Sequence, residues 1–212
     1  MEIIKVNPKN PEPKLIEKAI NILKKGGLVI YPTDTVYGLG CNPLNEDAVK
    51  RIYEVKERKD KPLPILVSSI EAAKTIAYVD AKAERVIKHF WPGPLTIILR
   101  AKPIIPTIVT LGTGKVGVRM PNHTIPLLLA KGIGGFIIGT SANISGHSAP
   151  RTAEEAINQL GNKNIDLIID SGPTPGGTPS TVIDMTYQPP IVIRKGPIQI
   201  EEIMEVIRCR AP

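Results

Sequence analysis

Short apolar runs alternate with amphipathic segments along almost the whole chain. A helix is predicted ahead of Gly26–Gly27, where these apolar positions share one face: Leu15, Ile16, Ala19, Ile20 and Leu23. The run from Leu28 to Tyr31 is short and continuously apolar, as in a buried strand. The alternation continues to a C-terminal helix whose apolar face carries Ile200, Ile203, Met204 and Ile207. Strands and helices that alternate in this way predict an α/β fold.

The remaining elements are predicted from similar apolar runs and from residues that cap helices. Strands are expected at residues 2–6, 64–67, 95–99, 115–119, 135–139, 165–169, 181–184 and 191–193. Helices are expected after Asn45 and Asp80, with a short one over residues 125–130. Ser68 with Glu71, and Thr152 with Glu155, have the spacing of helix caps. Loops are expected after Pro32 and over residues 172–180.

Length and composition limit the class of protein. The chain has 212 residues, of which 42% are hydrophobic and 22% are charged, so we expect one folded domain over residues 1–212. The formal net charge is +7. A basic balance favours phosphate-bearing partners such as nucleotides or RNA, but a lysine-rich solvated surface would explain it equally well.

The cysteines, histidines and apolar runs disfavour several further classes. Cys41 and Cys209 form no Cys-x-x-Cys pair and the histidines are scattered, so we expect neither a metal site nor a disulfide framework. Reducing, cytoplasmic surroundings fit this cysteine usage. The N-terminus does not look like a signal peptide, and no apolar run reaches the roughly 20 residues that span a bilayer, so no membrane partner is expected.

The first candidate segment for binding a ligand follows the strand that ends at Tyr31. It reads Pro-Thr-Asp-Thr-Val-Tyr-Gly-Leu-Gly from residue 32 to residue 40. Ligands in α/β proteins usually bind beyond the carboxyl ends of strands. The hydroxyls of Thr33 and Thr35 could hold an amino acid or a phosphate there. The alternative is an ordinary Asx turn with a tight bend.

The second candidate is a cationic run at the end of the helix that follows Asn45. One more turn of the apolar stripe of this helix reaches Lys56, which is costly to bury unless an anion meets it. Lys56 and Arg58 are therefore candidate phosphate ligands, because arginine offers a bidentate fork and lysine a mobile charge. The alternatives are a lysine that extends to water and cations that favour the helix dipole.

Further candidates lie at the ends of other predicted strands. Ser141 and Asn143 are two residues apart, so an extended backbone would point both side chains the same way. Ser180 follows the loop rich in glycine and proline, and Arg119 and Arg194 are cations at strand ends. Each of these residues could instead belong to a cap or a turn.

Several well-known motifs are absent from the sequence. It contains no Gly-x-x-x-x-Gly-Lys-Ser/Thr loop, no Gly-x-Gly-x-x-Gly fingerprint and no Gly-x-Ser-x-Gly elbow. A Walker ATPase, a Rossmann dehydrogenase and an α/β-hydrolase are therefore disfavoured. From the residues alone, the prediction is an α/β protein that binds a phosphate-bearing ligand.

Taken together, these segments resemble the YrdC family of threonylcarbamoyl-AMP synthases. The Lys-x-Arg and Ser-x-Asn pairs of that family correspond to Lys56–Arg58 and Ser141–Asn143. Residues 31–39, 91–96, 117–121 and 179–182 also match, and the resemblance runs from about residue 15 to residue 196. It implies a twisted mixed sheet flanked by helices around a deep basic cleft. The end of the sequence at Pro212 suggests the short, single-domain form of the family.

The resemblance also implies an activity and roles for the candidate residues. The implied substrates are ATP, L-threonine and bicarbonate, with Mg²⁺, and the products are threonylcarbamoyl-AMP and pyrophosphate. A separate transferase would then modify adenosine in tRNA. The residues implied in catalysis, which would also bind ATP, are Lys56, Arg58, Ser141 and Asn143. Two further residues implied in binding ATP are Arg119 and Arg194. The residues implied around threonine are Thr33, Thr35, Arg58 and Ser180.

Two other functions stay open at this point. A basic protein could bind RNA without catalysis, and a basic cleft could also contact tRNA in an enzyme. Against RNA binding, no aromatic stacking platform is evident, because Phe90 and Phe136 lie in apolar contexts. A paralogue of the same fold could act on a different amine or acyl substrate.

Overall fold

The computed structural model describes residues 1–208, so Cys209 lies outside the described residues. The strands in this part of the chain are β1 (Glu2–Lys5), β2 (Val29–Tyr31), β3 (Gly38–Gly40), β4 (Ile65–Val67), β5 (Leu95–Arg100), β6 (Lys115–Arg119), β7 (Phe136–Ile138), β8 (Thr140–Ser141), β9 (Leu167–Asp170), β10 (Thr181–Asp184) and β11 (Ile191–Arg194). The helices are α1 (Pro13–Lys24), α2 (Glu46–Val55), α3 (Ile70–Ile76), α4 (Ala81–Phe90), α5 (Thr107–Thr110), α6 (Thr124–Gly132), α7 (Ala153–Leu160) and α8 (Ile200–Arg208). The α/β class is confirmed.

The strands form two mixed sheets where the sequence led us to expect one. The first sheet has the order β1-β9-β2-β3-β8, and the second has the order β11-β10-β5-β6-β4-β7. In the first sheet β2 is parallel to β9 and antiparallel to β3. In the second, β5 is parallel to β10 and antiparallel to β6. Only Gly139 separates β7 from β8, so the chain passes directly from one sheet to the other at this point.

Strand β3 lies at this junction, in a segment that the sequence predicted to be a loop. It pairs with β2 on one side and with β8 on the other. A Cβ added to Gly40 would lie 2.3 Å from the carbonyl oxygen of Ile138, so the two sheets approach closely only because this position lacks a side chain. The N–H of Ile138 donates to the carbonyl of Cys41 at 3.0 Å. A strand rich in glycine has no apolar alternation, and the sequence therefore gives no strand signal here.

Side-chain caps fix the start of several helices, and most of them were predicted. Asn45, Asp80 and Thr152 cap α2, α4 and α7, each accepting a bond from a backbone N–H of the first turn. The prediction that Ser68 caps α3 is wrong by one residue. Ser69 accepts the N–H of Ala72 at 3.1 Å, whereas the hydroxyl of Ser68 bonds to the Gly135 carbonyl. Adjacent serines have equal capping propensity, so tertiary contacts decide between them.

The core consists of two clusters on opposite faces of the strands. Along β2, Ile30 faces the larger cluster, while Val29 and Tyr31 face the smaller one. The larger cluster includes α2 and α4, and the smaller one includes α1 and α6. Strands buried on both faces read as continuous apolar runs, which explains why they were recognisable in the sequence. Across residues 1–208, no helix has both the length and the apolar character required to cross a membrane.

Candidate active site

The predicted site residues come from both sheets and lie along the junction between them. Thr33 and Thr35 follow β2 and Ser141 ends β8, all in the first sheet. The second sheet contributes the ends of β6 and β11 and the residue before β10, which are Arg119, Arg194 and Ser180. Hydrogen bonds from Arg119 to the loop after β2 link the two sheets directly.

Lys56 is the C-cap of helix α2, and Arg58 lies two residues further on, beyond Glu57. The N–H of Arg58 donates to the carbonyl of Tyr53 at 2.9 Å, and the N–H of Glu57 donates to that of Glu54 at 3.0 Å. This pair of bonds is a Schellman motif. Glu57 accordingly has φ of 52°, in the left-handed region. The Lys-x-Arg spacing therefore places one cation on the last helical turn and the other just beyond the chain reversal.

The ammonium group of Lys56 is buried, as the apolar stripe of its helix indicated. The residue is 1% exposed, and Nζ donates to the main-chain carbonyls of Ser141 at 2.5 Å and Asn143 at 2.6 Å. Burial, and then repulsion from Arg58, together lower the pKa of Lys56 from its ordinary 10.5 to about 7. The alternative of a side chain that extends to water is therefore wrong. An anion bound nearby would favour the charged form.

Asn143 leaves one buried acceptor free. The residue is 5% exposed, and its Nδ2 donates to the carbonyls of Ile144 and His147, both at 2.8 Å. Its Oδ1 is buried and has no hydrogen-bond partner among residues 1–208. A buried acceptor without a partner costs about 1–3 kcal/mol, so a donor supplied by a bound molecule would be favoured here.

Arg58 and Arg194 are both held by carbonyl groups. Arg58 donates from Nε to Lys61 and from Nη2 to Pro62, both at 2.7 Å. Arg194 donates from Nε to the carbonyl of Ser180 at 2.9 Å and from Nη2 to the Ser180 hydroxyl at 3.1 Å. Burial lowers the pKa of each guanidinium. These bonds to neutral groups orient the two cations without cancelling their charge.

The cationic side chains lie close enough to repel one another. The pKa of Arg194 is lowered first by burial of its guanidinium and then by the positive charges of Arg119 and Arg58. The pKa of Lys56 is lowered by burial and then by Arg58. Like charges that are brought together at partly buried positions indicate a site built for anions. The structure thus brings together all four predicted cations.

Arg119 joins the second sheet to the loop after β2. It is 5% exposed, and its Nη1 donates to the hydroxyl of Thr35 at 3.0 Å. Its Nη2 contacts the carboxylate of Asp34, and its Nε donates to the carbonyl of Gly93 at 2.9 Å. Burial lowers the pKa of Arg119, and the charge of Asp34 opposes that change. With its five donors largely used, Arg119 positions the loop and adds charge to the site.

The hydroxyl of Thr33 organises the same loop. It donates to the carbonyl of Val36 at 2.7 Å and accepts the N–H groups of Thr35 and Val36. It also lies 3.0 Å from the hydroxyl of Thr35. Thr33 thus holds the loop in shape, while Thr35 links it to Arg119. A contact between either residue and threonine stays a prediction.

The loop at residues 172–180 packs against this segment. The N–H of Gly177 donates to the carbonyl of Thr35 at 2.7 Å. A Cβ added to Gly176 would lie 2.5 Å from the carbonyl oxygen of Asp34, so the close approach requires glycine. The sequence predicted a loop that could close over a ligand, and the structure places this loop beside the candidate residues.

Three residues near the site were not selected from the sequence. Asp34 pairs with Arg119, and the hydroxyl of Thr96 lies 2.8 Å from that of Ser180. His123 caps α6, and burial lowers its pKa, an effect that the negative charge of Asp34 only partly offsets. Their partners are distant in the sequence, so no local pattern identifies them.

The arrangement is suited to binding anions rather than to covalent catalysis. The cations can neutralise phosphate or carboxylate oxygens, and the hydroxyls of Thr35 and Ser180 can orient them. Within the described part of the chain, no group of three or more His, Cys, Asp or Glu side chains could hold a metal ion.

Comparisons with known proteins give consistent matches. The family model Sua5_yciO_yrdC, described as Telomere recombination, matches residues 21–196. A threonylcarbamoyl-AMP synthase of Pyrococcus abyssi (strain GE5 / Orsay) is 44% identical over 97% of this chain and 60% of the relative. One of Bacillus subtilis (strain 168) is 40% identical over 91% of this chain and 56% of the relative. The crystal structure of P. abyssi Sua5 complexed with L-threonine matches with a TM-score of 0.93 and 42% identity, over 98% of this chain and 61% of that chain. The chain therefore spans only about 60% of the length of these proteins.

Proposed function

Because this chain belongs to the Sua5/YciO/YrdC family, we propose that it is an ATP-dependent L-threonylcarbamoyladenylate synthase. Its substrates are L-threonine, bicarbonate and ATP, and its products are threonylcarbamoyl-AMP and pyrophosphate. The segment matched by the family model, residues 21–196, contains every candidate site residue described above. Relatives that match more than 90% of this chain carry the name threonylcarbamoyl-AMP synthase.

The observation that carries the proposal is the group of four cations at the sheet junction. Lys56 is buried with a pKa of about 7, and Arg58, Arg119 and Arg194 have lowered pKa values for the same reason. Collecting these charges is unfavourable unless a polyanion meets them. ATP and a carbamate of threonine bring a triphosphate and two carboxylate-like groups, which match this excess of positive charge.

The proposed reaction needs no covalent enzyme intermediate. The neutral amine of threonine attacks the carbon of bicarbonate and forms a C–N bond with loss of water, or attacks CO₂ with loss of a proton, and in either case gives a carbamate. A carbamate oxygen then attacks the α-phosphorus of ATP in line, the bond from that phosphorus to the bridging oxygen breaks, and pyrophosphate leaves. Catalysis consists of positioning the two anions and neutralising their charge, which the arrangement of cations and hydroxyls can supply.

The proposed roles follow the position of each side chain. Lys56, Arg58 and Arg194 hold phosphate and carboxylate oxygens in a basic cleft, and Arg119 adds charge from behind the loop. Ser141 and Asn143 orient the triphosphate and the carbamate, and the free Oδ1 of Asn143 accepts an N–H from the substrate. The residues proposed to line the threonine pocket are Thr33, Thr35 and Ser180.

Mg²⁺ is proposed to arrive with ATP, since the described residues include no cluster of metal-ligating side chains. When bound, it would neutralise charge on the phosphate oxygens. Mg²⁺ keeps several waters and binds largely through substrate phosphates, so a site built of cations and neutral oxygens fits a metal carried by the nucleotide.

The wider context of the activity is also proposed. Residues 1–212 would form a single domain in the cytoplasm. The product would pass to a separate transferase that modifies adenosine in tRNA. Contact of tRNA with the basic cleft remains part of this proposal, because the same cations could meet a phosphate backbone.

The test is a turnover assay with α-labelled ATP, Mg²⁺ and bicarbonate, with and without L-threonine. The measured quantities are the AMP-linked product and pyrophosphate. The Lys56→Ala variant should lose turnover by about 100-fold or more, as when a donor to a reacting anion is removed. The matched control is Lys50→Ala, which changes an exposed lysine of the same helix.

The outcomes separate the candidate functions. The proposal is supported if turnover requires threonine and bicarbonate, is retained by Lys50→Ala and is lost in Lys56→Ala. Turnover that prefers L-serine or another amine would indicate a paralogue with a different substrate. Binding of RNA together with no binding of ATP would refute the synthase and favour a non-catalytic RNA-binding protein.

A further inference from the structure

A groove with a volume of about 560 Å³ lies at the far end of the second sheet from the candidate active site. Strand β5 runs from Thr96, which contacts Ser180, to Arg100, which lines the groove. At about 3.3 Å per residue, these two positions are roughly 13 Å apart along the strand. The groove is therefore separate from the cations at the junction between the sheets.

Two tyrosines are exposed at this end of the sheet. Tyr78, which lines the groove, is 56% exposed, and Tyr187, which stands between the lining residues Thr186 and Gln188, is 48% exposed. Each ring has a lysine over it. Nζ of Lys102 lies 5.5 Å from the ring centre of Tyr78, and Nζ of Lys115 lies 3.9 Å from that of Tyr187. The cation–π contacts place a positive charge beside each ring while about half of each residue remains accessible.

The charged side chains that line the groove are mainly cations. Lys74, Arg100 and Lys102 face a single carboxylate, Asp80, which is occupied in capping helix α4. Lys74 also contacts an exposed glutamate outside the lining, and such exposed pairs contribute little. The nearby carboxylate of Asp184 is paired with Lys115 at 3.0 Å. A polyanion laid along the groove would therefore meet a net positive surface.

We propose that this groove binds a short segment of single-stranded RNA. Bases stack on the exposed rings of Tyr78 and Tyr187, and backbone phosphates contact Arg100 and the lysines beside it. Aromatic rings interleaved with cations are the combination that single-stranded nucleic acids require. A rigid apolar partner would leave the cations unpaired, and a simple anion would make no use of the rings.

The polar lining favours RNA over DNA. Thr186 and Gln188, the sequence neighbours of Tyr187, line the groove. The hydroxyl of Thr186 donates to Asp184 at 2.6 Å, so its oxygen can still accept a bond from a ribose 2′-hydroxyl. The amide of Gln188 can accept or donate to the same group. This RNA-binding surface goes beyond the proposed synthase activity, which requires no RNA.

The test measures fluorescence anisotropy of a fluorescein-labelled oligouridylate of about 12 nucleotides, a length within the range that such surfaces bind. Tyr78→Ala and Tyr187→Ala should each weaken binding about tenfold, and the Phe variants should keep it, because the stacking ring remains. The double change Arg100→Glu with Lys102→Glu should weaken binding further and flatten its salt dependence. The matched control is Lys24→Glu with Lys25→Glu, which makes the same change of charge on two exposed residues at the C-terminal end of α1.

Several results would overturn the proposal. They are equal loss in the α1 control, unchanged binding in the groove variants, and loss of binding in Lys56→Ala with the groove intact. Equal affinity for oligothymidylate of the same length would remove the preference for RNA. Turnover of ATP should be unaltered in the groove variants, so failure of the synthase assay and failure of RNA binding are separate results.

Discussion

Replacing Lys56 by methionine should change how the stability of the protein depends on pH. Methionine has a similar length and shape but carries no charge, and it cannot donate to the carbonyls of Ser141 and Asn143. At any one pH the net effect combines the removal of a buried charge with the loss of two hydrogen bonds. The pH dependence isolates the first contribution, because the carbonyls do not titrate.

The magnitude follows from the pKa of Lys56, which falls from 10.5 to about 7 on folding. A basic group with a lowered pKa is protonated in the unfolded chain and neutral in the folded one between these two values. The unfolded chain therefore binds more protons in this window, and stability rises with pH. The charge of Lys56 costs the folded state about 4 kcal/mol at about pH 7 and about 2 kcal/mol at about pH 9. Relative to Lys56→Met, the unaltered protein should gain about 2 kcal/mol over this interval.

The measurement is the free energy of unfolding in urea at both pH values, for the unaltered protein, for Lys56→Met and for Lys50→Met. Lys50 is an exposed lysine of the same helix, so its replacement should leave the pH dependence unchanged. The free energy of unfolding of the unaltered protein, minus that of Lys56→Met, should increase by about 2 kcal/mol between about pH 7 and about pH 9. Parallel pH profiles for all three proteins would refute the argument that Lys56 is neutralised by burial.

The other contacts of the site lead to three more expectations. ATP binding at about pH 8 should take up close to one proton, because the triphosphate favours the charged form of Lys56, whose pKa is about 7 before binding. Calorimetry in buffers of different ionisation enthalpy measures this proton uptake, and an uptake near zero would contradict the expectation. Glu57→Gly should raise the urea midpoint without changing turnover, because φ of 52° suits glycine better than glutamate, and a lower midpoint would count against the Schellman assignment. Asp34→Asn should lower the free energy of unfolding by about 3 kcal/mol, since it leaves the buried guanidinium of Arg119 without its carboxylate. The control in the same urea titration is Lys163→Met, which breaks a pair with exposed Glu57 and should hardly change the midpoint. Equal effects of the two variants would show that the buried pair with Arg119 contributes no more to stability than an exposed pair.

The elements that were predicted correctly are those in which local pattern and tertiary burial agree. The strand around Ile30 is apolar on both faces because it packs between two clusters, and the helix after Asn45 combines a capping side chain with a regular apolar stripe. The same regularity indicated that Lys56 points inward, and the structure confirms this. Periodicity can therefore locate a buried charge even where it cannot say what the charge meets.

The features that were missed depend on contacts between distant segments. Strand β3 consists largely of glycine and exists because β2 and β8 lie on either side of it. The division into two sheets depends on where Gly139 separates β7 from β8, and no periodicity records that break. Likewise, Arg119 was a candidate because it is a cation at a strand end, but its partner Asp34 is 85 residues away and became evident only from the fold.

The exposed tyrosines show the converse limitation. The sequence suggested that no aromatic platform was available, because Phe90 and Phe136 lie in apolar surroundings. Tyr78 and Tyr187 are separated by more than a hundred residues, and each alone is an ordinary surface residue. Only the fold brings both to the same end of the second sheet, where each has a lysine over its ring, Lys102 for Tyr78 and Lys115 for Tyr187.

The division of the active site between two sheets gives substrate a mechanical role. Each sheet holds part of the site that a nucleotide would contact, and at one of the three places where the chain crosses between the sheets only Gly139 separates the two strands. A bound nucleotide would thus act as a removable clamp across the junction. At a concentration one hundred times its dissociation constant, such a clamp would add about 2.7 kcal/mol to the stability of the closed arrangement. Hydrogen exchange at β3, β7 and β8 should slow when ATP is added, far more than exchange at β1. The junction between the two sheets would then be the place where the ligand stabilises the fold.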